Sequence, residues 1–97
     1  APRPFRIPDW LYEETFERLS EAIGSRDYFS GSIAFACGCI ECRLTVSVVV
    51  YRRHESLPDG DCERIADLVP IWWEFHTRKA GRELANDFRF YVLRTYL

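Results

Sequence analysis

Methionine is missing from this 97-residue chain, and no apolar run approaches the roughly 20 residues that a membrane-spanning helix needs. The start, Ala1-Pro2-Arg3-Pro4-Phe5-Arg6, has no apolar stretch behind it of the kind a signal peptide carries. The missing methionine fits removal of an initiator before Ala1, or a trimmed sequence. Charge of one sign is not in excess either. The net charge of −2 gives no reason to expect nucleic acid or an anionic membrane as a partner. Four cysteines fall below the density of a disulfide scaffold, so reduced thiols and a cytoplasmic setting are expected. There is no Gly-rich phosphate loop, nucleophile elbow or His-Glu-x-x-His. There is also no internal repeat or low-complexity stretch.

What is abundant is apolar and aromatic surface. Hydrophobic residues make up 47% of the chain and aromatics 15%, too much for a disordered segment and enough for one core. A single domain over 1–97 is expected, preceded by an extended arm at 1–8 that carries three prolines.

Asp9 reads as an N-cap, and Tyr12, Phe16, Leu19 and Ile23 line one face of a helix over 9–24 that ends at Gly24. Glu14 and Arg18 form an i,i+4 pair off that stripe. Next, Ile33, Phe35 and Cys37 alternate with Ser32, Ala34 and Ala36, a strand with a small-residue face. Arg43 to Arg53 is the strongest strand, with Leu44, Val46, Val48 and Val50 on one side and Thr45, Ser47, Val49 and Tyr51 on the other. The two should form a hairpin across 38–42. Pro58-Asp59-Gly60 is a turn.

The segment 64–78 fits a helical stripe and strand alternation equally well. Pro70 favours a strand over 70–78, because proline inside a helix costs about 3 kcal/mol and is tolerated at a strand's start or edge. A turn at 79–82 and a short strand at 83–86 follow. Asp87 then caps a last helix with Phe88, Tyr91, Val92 and Tyr96 on one face, although these residues also suit a strand. The expected fold is α+β: an N-terminal helix on a three- or four-stranded antiparallel meander, with a short C-terminal helix.

Pro70-Ile71-Trp72-Trp73-Glu74-Phe75-His76-Thr77 and the later Asn86-Asp87-Phe88 resemble a small uncharacterised bacterial α+β family with Pro-x-Trp-Trp-Glu-Phe and Asn-Asp-Phe segments. The resemblance covers the C-terminal half. It implies a strand at the Trp-Trp segment and lends no catalytic or binding residue.

Four sets of residues bear on function. Cys37, Cys39 and Cys42 with the distant Cys62 are buried small residues, a disulfide or redox pair, or the ligands of a structural zinc built on Cys39-x-x-Cys42. His54, His76, Glu74 and Asp87 are the candidate acid–base groups, and Trp72, Glu74 and His76 share one strand face. Arg52-Arg53-His54 with Tyr51, Arg43 and Arg64 is a candidate basic patch, read first as a charged strand end.

The tryptophans complete the survey. Trp72 and Trp73 point to opposite faces of a strand, so one enters the core and the other sits on a second face with Val49 and Tyr51 or with Val46 and Val48, depending on register, and that face is either open or covered by the C-terminal segment. The leading expectation is a non-enzymatic interaction domain that forms a homodimer or binds a protein through that aromatic face, using Trp72, Trp73 and Tyr51. The alternative is a zinc-stabilised module; an enzyme built on Glu74 and His76 ranks third.

Overall fold

The computed structural model describes residues 3–97, so the first two residues of the expected arm lie outside the described part. The elements are α1 (Asp9–Ile23), β1 (Tyr28–Cys37), β2 (Ile40–Leu57), β3 (Gly60–Lys79), β4 (Arg82–Leu84) and a C-terminal 3-10 helix (Phe90–Tyr96). The strands form one antiparallel sheet in the order β1-β2-β3-β4. This is the expected α+β meander with four strands.

Each turn follows from its residues. Cys37 pairs with Ile40 across a two-residue turn, and Gly38 takes φ +62°, the first position of a type II′ hairpin. Leu57 pairs with Gly60 around Pro58-Asp59, whose proline presets the turn. Both β2 and β3 run well past the lengths expected from sequence. Their ribbon outlasts β1, which ends its pairing at Val49, and gives the molecule its 53 Å long axis.

β3 is a strand throughout 64–78, and Pro70 lies inside it rather than at its start. Two things make this possible. The register shifts between Ser47 and Val48, where Pro70 rather than Ile71 opposes Val48. β4 pairs only with Thr77–Lys79, so β3 is an edge strand at Pro70 and the missing N–H breaks no ladder on that side.

The core lies on one side of the sheet. Leu44, Val46, Val48 and Val50 of β2 and Leu68 and Phe75 of β3 are buried against Leu11, Tyr12, Leu19 and Ile23 of α1. Thr15, also buried, returns its hydroxyl to the Leu11 carbonyl at 2.7 Å. Asp9 is the first helical residue rather than a side-chain cap; Pro8 holds the cap position in extended geometry.

The C-terminal segment corrects one expectation. Asp87 caps nothing there: its Oδ1 accepts the Ile7 N–H at 2.7 Å and straps the N-terminal arm to the body. Phe5 continues the strap through a parallel bridge to Asn86. The last helix starts at Phe90 and is of the 3-10 kind, with three residues per turn. Phe90, Leu93 and Tyr96 therefore align inward, while Tyr91 is exposed. The anticipated stripe of Phe88, Tyr91, Val92 and Tyr96 assumed a period of 3.6.

Phe88, ahead of that helix, stacks on Phe75 at 4.0 Å between ring centroids and contacts Tyr12 at 5.2 Å and Trp73 at 5.6 Å. Asn86 fixes its approach. The Asn86 amide donates to the Phe75 carbonyl (3.0 Å) and to Thr77 Oγ1 (3.2 Å), and its Oδ1 accepts the Phe88 N–H (3.0 Å). Asn86→Ala leaves these half-buried groups without partners. It should lower unfolding stability by about 1–3 kcal/mol in chemical denaturation, and Asn86→Asp should not rescue it, since a carboxylate cannot donate to the two acceptors.

Candidate functional site: the open sheet face

α1 and the 3-10 helix both pack on the Leu44–Val50 side, leaving the other face of the sheet without a covering element among the described residues. The alternation of β1, β2 and β3 decides what that face displays. Toward the ribbon end stand Tyr28, Val49, Tyr51, Val69 and Trp72, with Ile71 at the adjoining bulge 67% exposed. Across the middle, Ser30 and Ser47 share a hydroxyl hydrogen bond of 2.8 Å, as do Ser32 and Thr45. Toward the Gly38 turn the face becomes charged, with Glu41, Arg43, Glu74, His76, Arg78 and Glu83.

Trp72 and Trp73 separate as expected of neighbours in a strand. Trp72 opposes Ser47 on the open face and is 49% exposed. Trp73 opposes Val46 on the covered face, against Phe88 and Phe90. Trp73 thus leaves the candidate surface, and Trp72 and Tyr51 stay on it.

The charged end is organised by His76. Its Nε2 lies 3.1 Å from Glu74 Oε2 and its Nδ1 lies 2.5 Å from Glu83 Oε1, so a protonated ring donates to both carboxylates. These bonds, Glu74 first and Glu83 second, raise the His76 pKa above its ordinary 6.5. Sequence spacing gives the Glu74–His76 pair; Glu83 arrives from β4 through the Lys79–Arg82 turn, which no local pattern reveals. Ala34, Ala36, Arg43 and Arg78 join His76 and Glu83 around a half-open cleft of about 630 Å³. Asp87 and His54 lie elsewhere: Asp87 on the N-terminal strap, His54 on the ribbon 3.4 Å from Asp61.

The cysteines do not converge. Cys37 and Cys42 sit in strands with their side chains toward the core, Cys39 is exposed in the turn, and Cys62 opposes Glu55 near the far tip. Cys42 pairs with Thr77, thirteen β2 positions from Glu55, which at about 3.3 Å per residue puts Cys62 about 40 Å away. The four thiols therefore do not make one site within a chain. Among the described residues no group of three or more His, Cys, Asp or Glu side chains is arranged to hold a metal ion. Burial pushes the Cys42 thiol up to about 11.

The basic patch is likewise dispersed. Arg52 turns to the helix side and donates to the Gly24 and Arg26 carbonyls at 2.7 Å each. Arg53 and Arg64 flank Glu55 at 2.9 and 3.8 Å. Arg52 also lies 3.5 Å from Asp27, so each of the three cations has a carboxylate nearby, the one on Glu55 being shared. No helix among the described residues is long and apolar enough to cross a membrane.

Two measurements check this geometry. In an NMR titration His76 should show a midpoint above 6.5, and Glu83→Gln should lower it. Because the folded value is raised, any stability from this cluster is fully present below about pH 6.5 and disappears as pH rises through the folded midpoint. The ring is 46% exposed, so the effect is small. With a thiol reagent, Cys39 and Cys62 should react at once in the native protein, and Cys42 only on unfolding; a fast third thiol traceable to Cys42 would contradict its burial. No protein-family model, curated protein or solved structure matches this chain, so the open face is read from its own residues.

Proposed function

We infer that this chain is an interaction domain whose open sheet face holds a protein partner. The observation behind this reading is the face itself. A sheet side without a helix over it carries Trp72, Tyr51, Tyr28 and Val69 exposed at one end and an ordered charge cluster at the other. Large exposed apolar side chains grouped on one surface mark interaction sites more often than scattered ones do. Tryptophan and tyrosine are the residues that most often dominate binding energy at such sites. The hydroxyl pairs between the two ends tie up polar groups that a partner would otherwise have to desolvate without recompense.

The His76 cluster supports the same reading over proton-transfer chemistry. Both ring nitrogens are engaged by carboxylates, which leaves neither free to take a proton from a substrate in this arrangement. Glu74, Glu83, Arg43 and Arg78 instead suit a polar rim that sets a partner's orientation.

The test is a double variant, Trp72→Ser with Tyr51→Ser. Both side chains are about half exposed, so its stability should stay within about 1 kcal/mol of wild type. Trp73→Ala, on the covered face, should cost about 2–4 kcal/mol. Quantitative affinity isolation followed by reconstitution with the purified partner should give at least a tenfold loss of affinity for the double variant. Equal binding by wild type and variant would move the interaction off this face.

A further inference from the structure

The two edges of the sheet are treated differently. The β3 edge is guarded over its free length by Pro70, by the Ile71 bulge and by Glu74. Such devices stop a sheet from adding a foreign strand. The β1 edge has none of them. Tyr28–Cys37 reads Tyr-Phe-Ser-Gly-Ser-Ile-Ala-Phe-Ala-Cys: ten residues without a charge, a proline or a register shift against β2. No strand among the described residues pairs with its outer side.

The backbone direction along this edge can be worked out. Cys37 and Ile40 close a two-residue hairpin, so they are a hydrogen-bonded pair, and such pairs recur at every second residue. At the other end the Val50 N–H donates to the Asp27 carbonyl at 2.8 Å, which fits the same phase. Odd-numbered residues of β1 thus turn their N–H and C=O groups to β2. Tyr28, Ser30, Ser32, Ala34 and Ala36 turn theirs outward.

We propose that the β1 edge pairs antiparallel with β1 of a second copy of this chain, centred on Ser32 against Ser32. In that register Tyr28 opposes Ala36, Ser30 opposes Ala34, and every outward group meets another, for about ten backbone hydrogen bonds. The same alignment sets Gly31 against Ile33 and Phe29 against Phe35 on the helix side. The Phe29 ring already lies over Gly31, 3.2 Å from where a Cβ would sit, and Phe29 and Ile33, only partly buried in one chain, gain cover. The strand itself is neutral, so no like charges meet in the ladder, while Arg18 over Phe35 and Arg26 over Phe29 flank the seam on the helix side. The two-fold axis stands normal to the sheet, so both open faces lie on one side of a continuous eight-stranded sheet. This association goes beyond the partner-binding reading and uses a different surface.

Ser32→Pro tests it. The Ser32 N–H points outward, so proline deletes an edge donor while leaving the β1–β2 ladder intact. Ala34→Lys is the companion, placing a charge opposite Ser30 of the second copy on an edge strand that carries none. At several hundred micromolar the wild type should show about twice the 11.5 kDa chain mass by light scattering, and both variants a single chain mass with unchanged circular dichroism. Amide exchange at residues 30, 32 and 34 should slow in the wild type alone. If Ser32→Pro does not fold, Ala34→Lys and the exchange pattern decide. A wild type that stays monomeric, or a dimer that survives both variants, overturns the proposal. The Trp72→Ser and Tyr51→Ser double variant should still dimerise, which separates this result from the fate of the open-face reading.

Discussion

Phe88 is the contact around which the molecule is arranged. Its ring lies on Phe75 of the sheet and touches Tyr12 of the helix and Trp73 of β3, joining the two layers at one point. Aromatic pairs at these separations add to the area they bury, by about 0.5–1.5 kcal/mol each. Tyr12 makes a second tie, its hydroxyl accepting the Arg89 N–H at 3.0 Å. A chain held there must continue on the helix side of the sheet. The 3-10 helix does so, inserting Phe90 and Leu93 and fixing its far end through the bidentate Arg94–Asp67 pair at 2.7 Å.

That routing makes the two sheet faces unequal. The C-terminal segment joins α1 on the core side instead of crossing over the other face. Val46 and Val48 therefore become interior residues, and Thr45, Ser47 and Val49 remain surface ones, although β2 alternates similarly on both sides. Hydroxyl pairing keeps the middle of the open face polar and orderly, while Trp72 and Tyr51 are left where none of the described residues covers them.

Much of this was legible in the residues. The α1 stripe, the β2 alternation and the Pro-Asp-Gly turn each rest on local spacing, and local spacing is what a sequence records best. Pro70 was informative about strand against helix, yet it concealed how far β3 runs, because tolerance of proline there depends on the short reach of β4. Asp87 was misplaced because a carboxylate ahead of an aromatic run looks like a cap, and its actual partner, the Ile7 N–H, is 80 residues away. Of the open face, Trp72, Glu74 and His76 follow from parity within one strand. Glu83 does not, since it needs the β3–β4 register. The cysteine cluster shows the opposite hazard: closeness in sequence across a hairpin turn sends alternate thiols to opposite environments, and Cys62 joins them only in composition.

The β2–β3 ribbon carries one more consequence. Past Val49 it loses β1 but still leans on the helix side, through Arg52 to the Gly24 and Arg26 carbonyls, Arg94 to Asp67, and a cleft that Cys62–Ile65 share with Phe16 and Tyr96. Among the described residues the last stretch around Pro58 has only ladder bonds and exposed ion pairs such as His54–Asp61. Such a segment opens locally at a small fraction of the free energy of global unfolding. Rigidity is therefore graded along the long axis: firm where Phe88 clamps the layers, progressively softer toward Pro58. The tip can zip and unzip in steps from the turn while the body keeps its shape.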